Sequence, residues 1–117
     1  MRYRRIALAI IGFLALSAAL QFWSPNIADS DGFFYLRQAV RYRTEGLFNV
    51  DFPWMYHTVI RDLSATEWYG FGIFLIPFTF FPDGVLAIKI AGAALTAAVL
   101  SSLYWVLRRH GVRHAWL

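Results

Sequence analysis

Cysteine is absent from this 117-residue chain, which excludes disulfides, thiolate metal sites and thiol catalysis and leaves the redox compartment open. Charge is scarce as well: Asp, Glu, Lys and Arg make up 15% of residues, against roughly 25% in soluble domains. Acidic residues are missing from both ends and from both long apolar runs. No stretch resembles a P-loop, a dinucleotide fingerprint, a nucleophile elbow or a metalloprotease helix, so soluble-enzyme chemistries are poorly supported. Internal repeats and low-complexity linkers are also lacking.

What the chain has instead is apolar and aromatic. Hydrophobic residues make up 59% and aromatics 19%, with five Trp and six Tyr, side chains that favour membrane interfaces because one end is apolar and the other wet. The net charge of +4 raises the question of nucleic acid, and its distribution answers it. Arg2, Arg4 and Arg5 precede the first apolar run, and Arg108, Arg109 and Arg113 follow the second. All seven acidic residues, Asp29, Asp31, Glu45, Asp51, Asp62, Glu67 and Asp83, lie between the runs. A nucleic-acid patch gathers its basic residues on one face, whereas these flank candidate spans. No nucleic-acid partner is expected.

The first span covers 6–23, from Ile6 to Trp23, and is interrupted only by Gly12, Ser17 and Gln21. At 1.5 Å per residue it reaches roughly 27 Å, just enough to cross a bilayer. A cleaved signal peptide is the alternative, since Ser17-Ala18-Ala19 mimics a small-x-small cleavage site. The apolar stretch that continues through Phe22 and Trp23 to Pro25 favours an uncleaved helix. The second span runs from Val85 to Leu107 within a helix over 84–108, and Lys89 is its single charge. Gly92, Ala93, Ala94, Ala97, Ala98 and Ser101 make it rich in small residues at spacings of four, which permits close approach of other helices. Such a surface expects neighbours, either further transmembrane helices of the same protein or a partner. Pro82-Asp83-Gly84 supplies its turn and N-terminal cap, and Tyr104-Trp105 mark the far interface.

With basic residues at both ends, the positive-inside rule puts the termini in the cytoplasm and 24–83 on the outer side. The expected fold is an all-α membrane protein of the cytoplasmic membrane: two transmembrane helices joined by an outer loop with amphipathic or interfacial helices, in contact with membrane lipids. Within the loop, one helix is expected over 31–45, with Phe33, Leu36, Ala39, Val40 and Leu47 on one side and Arg37, Gln38, Arg41 and Glu45 on another, as in a membrane-surface helix. Ser30 or Asp31 caps its start and Gly46 suits its end. A second helix is expected near 66–81. Its apolar part, Trp68 to Phe81, contains Gly70, Gly72 and Pro77 and is short for a span; it reads as interfacial, with a crossing as the alternative. The cytoplasmic end, 109–117, stops where a turn would hand over to another helix, so the chain is expected to be a fragment.

Few residues suggest chemistry. Asp29 and Asp31 stand at the outer interface and the mouth of a helix. Carboxylates so placed can hold Mg²⁺ or Mn²⁺, or serve as a base; equally, acidic residues there simply complement the helix dipole. Arg37 and Arg41, four apart, share a face that suits the phosphates of a lipid-linked substrate or ordinary anionic headgroups. Lys89 either snorkels to the surface or faces a pyrophosphate. In Asp51-Phe52-Pro53-Trp54-Met55-Tyr56-His57 the ligand spacing matches no metal motif.

The order of features resembles a known family. A short cytoplasmic start and one span lead to DSDGFFYLRQAVRY, Asp29 to Tyr42, in which an Asp-Gly-aromatic-aromatic motif opens an amphipathic helix. A short apolar helix, Pro77-x-x-x-x-Pro82 and a second span follow. This is similar to the N-terminal part of the C-type (GT-C) integral membrane glycosyltransferases, most of all the oligosaccharyltransferase catalytic subunits. The likeness covers nearly the whole chain, and its sharp element is the Asp-Gly-aromatic motif. It implies transfer from a polyprenyl-linked sugar donor to an acceptor on the outer face, with a divalent metal, Mg or Mn, as cofactor. By motif position, Asp31, then Asp29, would bind metal or orient the acceptor, and Arg37, Arg41 or Lys89 would hold phosphate. The family's second acidic motif and later spans have no counterpart here, so the piece is expected to be inactive alone. The alternative is a small non-catalytic membrane subunit or assembly protein, which the reading frame beyond Leu117 would distinguish. A transporter has little support, since no charge pair lies within the spans.

Overall fold

The computed structural model describes residues 2–27, 31–48 and 68–112, and within them every regular element is helical. Four α-helices follow in order: α1 (Arg2–Phe22), α2 (Asp31–Glu45), α3 (Tyr69–Leu75) and α4 (Gly84–Arg109), with a 3₁₀ helix over Ile76–Phe80 continuing α3. Asp29, Ser30, Asp51, His57, Asp62 and Glu67 lie outside the described residues. Two compact units result, one from Met1–Asn26 with Lys89–Leu117 and one from Ile27–Ile88.

In the first unit α1 and the body of α4 pair antiparallel. Gln21 lies against Gly92, where an added Cβ would stand 3.0 Å from its Nε2, and the Phe13 ring meets Tyr104 edge-on at 6.1 Å. Most of the buried positions are small, Ala9 and Ser17 on α1 and Ala91, Ala93 and Ala97 on α4, with Tyr104 and Lys89 the large exceptions. Lys89 makes a contact that neither of its sequence readings names. It is 4% exposed, its Nζ donates to the Ser24 carbonyl, and it lies 5.6 Å from the Phe22 ring centroid. The last carbonyls of a helix lack intrahelical donors and carry the negative end of its dipole, so an ammonium is well placed just past the end of α1.

Outward from this seam, Leu8, Ile11, Leu14, Leu20, Val99 and Leu103 are exposed. Among the described residues α4 alone is long and apolar enough to cross a membrane; its 26 residues extend roughly 39 Å, beyond a ~30 Å hydrocarbon core. The apolar part of α1, Ile6–Phe22, is shorter at roughly 26 Å. The ends of α4 follow its sequence. Asp83 Oδ1 accepts from the Val85 and Leu86 amides at 2.8 and 3.4 Å, satisfying free N–H groups of the first turn. At the other end Gly111 adopts φ 77°, and Val112 N donates to Leu107 O at 3.1 Å, which closes a Schellman turn beside Arg108 and Arg109.

In the second unit α2 packs on α3 and the 3₁₀ helix. The expected boundaries of α2 match, and Gly46 ends it with φ 98°. Its buried face differs from expectation: Gln38, Ala39 and Tyr42 are buried, whereas Phe33 is 48% exposed. The expected second helix is not uniform either, because Pro77 lacks an N–H donor and its ring opposes continuation of α-geometry; the chain tightens to 3₁₀ at Ile76. Tyr69–Phe80 extends roughly 20 Å, too short to cross a ~30 Å core.

Candidate functional site at the start and inner face of α2

Asp31 is the first residue of α2 and is exposed. The following glycine has a packing role of its own. A Cβ on Gly32 would lie 3.2 Å from Ile88 Cγ2 and 3.7 Å from Ile27 Cδ1, so the absent side chain lets the first turn of α2 close on α4. Gly84 lies against Leu36 and Phe33 in the same way. The aromatic half of the motif splits: Phe33 stays largely exposed, while Phe34 meets the Tyr35 ring edge-on at 5.3 Å.

Arg37 and Arg41 both belong to α2 but stand differently. Arg37 is exposed. Arg41 turns both Nε and Nη2 to Glu45 Oε2, the Nε contact at 3.0 Å, so its guanidinium is committed to a carboxylate one turn on. Lys89 is buried and places its ammonium on the Ser24 carbonyl. Among the described residues no group of three or more His, Asp or Glu side chains could hold a metal ion. Asp31 is a single carboxylate there, and Asp29 lies outside the described residues. The described side chains therefore do not by themselves fit the divalent cation that the family resemblance implies.

A cluster that sequence reasoning missed lies on the inner face of α2. Gln38 Nε2 donates to the Tyr42 hydroxyl, and Gln38 Oε1 is buried without a partner. The Cε2–Cδ2 edge of the Tyr42 ring faces Gly72, where a Cβ would stand 2.6 Å from Cε2, and the ring meets Tyr69 edge-on at 5.3 Å. The Tyr69 hydroxyl donates to the Leu47 carbonyl at 3.1 Å. Toward the start of α2, Tyr35 contacts Phe71 at 5.4 Å and Trp68 at 6.0 Å. The available signal was Tyr35-Gln38-Ala39-Tyr42, spaced i, i+3, i+4, i+7, opposite Gly72.

Burial pushes the Tyr42 phenol above its ordinary value of 10.0, and the neighbouring Tyr69 adds to the rise, while the Gln38 hydrogen bond opposes it. A raised folded-state value means that the folded chain holds this proton more tightly than the unfolded one. The corresponding stability is fully present below pH 10.0 and is lost as pH rises through the higher folded value. Chemical denaturation across that range should show an alkaline loss that Tyr42→Phe flattens; equal slopes in the two proteins would refute the assignment.

No protein-family model, curated protein or solved structure matches this chain.

Proposed function

We propose that the chain is the N-terminal part of a C-type integral membrane glycosyltransferase, which moves a sugar or oligosaccharide from a polyprenyl phosphate or pyrophosphate carrier to an acceptor on the outer face. The observation that carries this reading is the exposed Asp31 carboxylate at the mouth of α2, followed at once by Gly32, whose missing side chain seats that turn on Ile88 of α4. The helix order supports it too: a long apolar helix, the Asp-Gly helix, a short apolar helix broken at a proline, and a second long apolar helix. In this reading α1 and α4 are both spans, the termini are cytoplasmic and 24–83 is extracytoplasmic.

The residues divide the work by their chemistry. Asp31 accepts a hydrogen bond from the acceptor group and holds it toward the sugar carbon, a positioning role that carboxylates fill well. Arg37 is the phosphate contact, where a fixed cation opposes charge developing on the departing carrier. Arg41, one turn further along α2 and paired with Glu45, is a second candidate for the same contact. Among the described residues Asp31 is the single carboxylate at this helix mouth, and the chain alone is inactive.

Membranes containing the complete protein should transfer label from a polyprenyl-linked sugar to an outer-face acceptor. Tags near position 51 and after position 117 should report from opposite sides. Tags reporting from one side would overturn the topology, and absence of transfer with every polyprenyl donor class would overturn the activity. The second reading, a small non-catalytic membrane subunit, draws on Ala98 and Ser102, four residues apart and exposed on α4; it predicts insertion and co-purification of a partner helix without transfer.

A further inference from the structure

Arg43 stands in the last turn of α2 with its guanidinium 4.6 Å from the Phe80 ring centroid. Its Nη1 donates to the Thr79 carbonyl at 3.4 Å, near the end of the 3₁₀ helix, where carbonyls lack helical donors. A guanidinium has five N–H donors, so this one bond leaves most of the fork open. Among the described residues no carboxylate pairs with Arg43. The two acidic side chains closest to this region in sequence are occupied: Glu45 by Arg41 and Asp83 by the first turn of α4. Beneath the cation the surface is aromatic, with Phe80 72% and Phe81 40% exposed. Phe81 lies three residues before Gly84, the first residue of the helix long enough to cross a membrane.

We infer that Arg43, Phe80 and Phe81 form a docking surface for an anionic phospholipid, with the guanidinium on the headgroup phosphate and the two rings at the boundary of headgroup and acyl chain. The inference rests on α4 being a membrane span. The start of a span lies at the interface, and there an exposed ring is stabilised by partial burial while a stacked cation reaches outward to phosphate. A soluble phosphate would make no use of the rings, and a zwitterionic lipid makes less use of the cation. Arg43 differs from Arg41 in that, among the described residues, no carboxylate balances its charge.

Because the chain has no cysteine, a single introduced thiol is unique. A nitroxide on Phe81→Cys and, separately, on Val99→Cys in the full chain, reconstituted in phosphatidylcholine vesicles with and without phosphatidylglycerol, reports its access to oxygen and to a water-soluble nickel chelate. The label at 99 should be reached by oxygen and not by nickel. The label at 81 should favour oxygen and move deeper when phosphatidylglycerol is added. Arg43→Gln in the same background should remove that shift and lower the preference for phosphatidylglycerol about fivefold. Nickel access at 81 with a lipid-buried 99 would overturn the docking surface while leaving the span intact. A depth at 81 indifferent to both phosphatidylglycerol and Arg43 would overturn the headgroup contact. Nickel access at 99 would overturn the span and the inference with it.

Discussion

Under the proposed glycosyltransferase function, Asp31→Asn is expected to lower sugar transfer on the order of a hundredfold, the usual result of removing one preorganised polar group from a reacting centre, while α2 stays folded. The substitution separates two roles of one side chain. As the first residue of α2, Asp31 meets the positive end of a helix dipole, an interaction of about 0.3–1 kcal/mol. Asn gives up that charge but keeps an oxygen able to accept from free backbone N–H groups. A merely structural role would therefore leave transfer close to normal with a slightly lower melting temperature. A positioning role gives the opposite pattern, normal insertion and melting with transfer lost, and Asp31→Glu, displaced by one methylene, should fall between. Full transfer by the Asn variant would remove Asp31 from the site.

Gly72→Val is expected to destabilise the α2/α3 unit by about 1–3 kcal/mol, the range for inserting methylenes into a packed interior. The obstacle is an aromatic ring with no room to yield. A Cβ at 72 would lie 2.6 Å from Tyr42 Cε2 and 3.2 Å from Cδ2; Tyr69 stands across that ring, and Gln38 holds its hydroxyl. Helix propensity works the other way, since glycine is about 1 kcal/mol worse than alanine in a helix interior, so Gly72→Ala should lose less than Gly72→Val. Replacing Tyr42 by Leu in the Val background should recover part of the loss if the ring is the cause. Denaturant unfolding followed by far-ultraviolet circular dichroism measures all three variants, and a Val variant as stable as the parent would show that the helices separate freely here.

Length, charge placement and turn chemistry made the helices legible. Asp31 and Gly46 bound α2, and Asp83 caps α4. The inner face of α2 was hidden because its central residues look polar. Gln38 reads as a surface residue until Tyr42 is seen to take its amide, and Tyr42 reads as interfacial until Gly72 makes room for its ring. The Lys89 contact was hidden for a related reason: its acceptor is a main-chain carbonyl 65 residues away in sequence, and no side-chain pattern announces such a partner. The candidate site was legible only as far as Asp31, Arg37 and Arg41. Which of these is committed elsewhere depends on geometry, as the fork from Arg41 to Glu45 illustrates.

The Lys89 contact also bears on how the chain tolerates drift. Every residue type supplies a backbone carbonyl, so the side chain at position 24 is free to change while the ammonium at 89 keeps its acceptor. Arg41 and Glu45 are bound to each other by their side chains, and a change at one asks for a change at the other. Comparison of diverged sequences would reveal the exposed ion pair as correlated positions and would miss the part-buried contact that ties Lys89 of α4 to the segment just after α1.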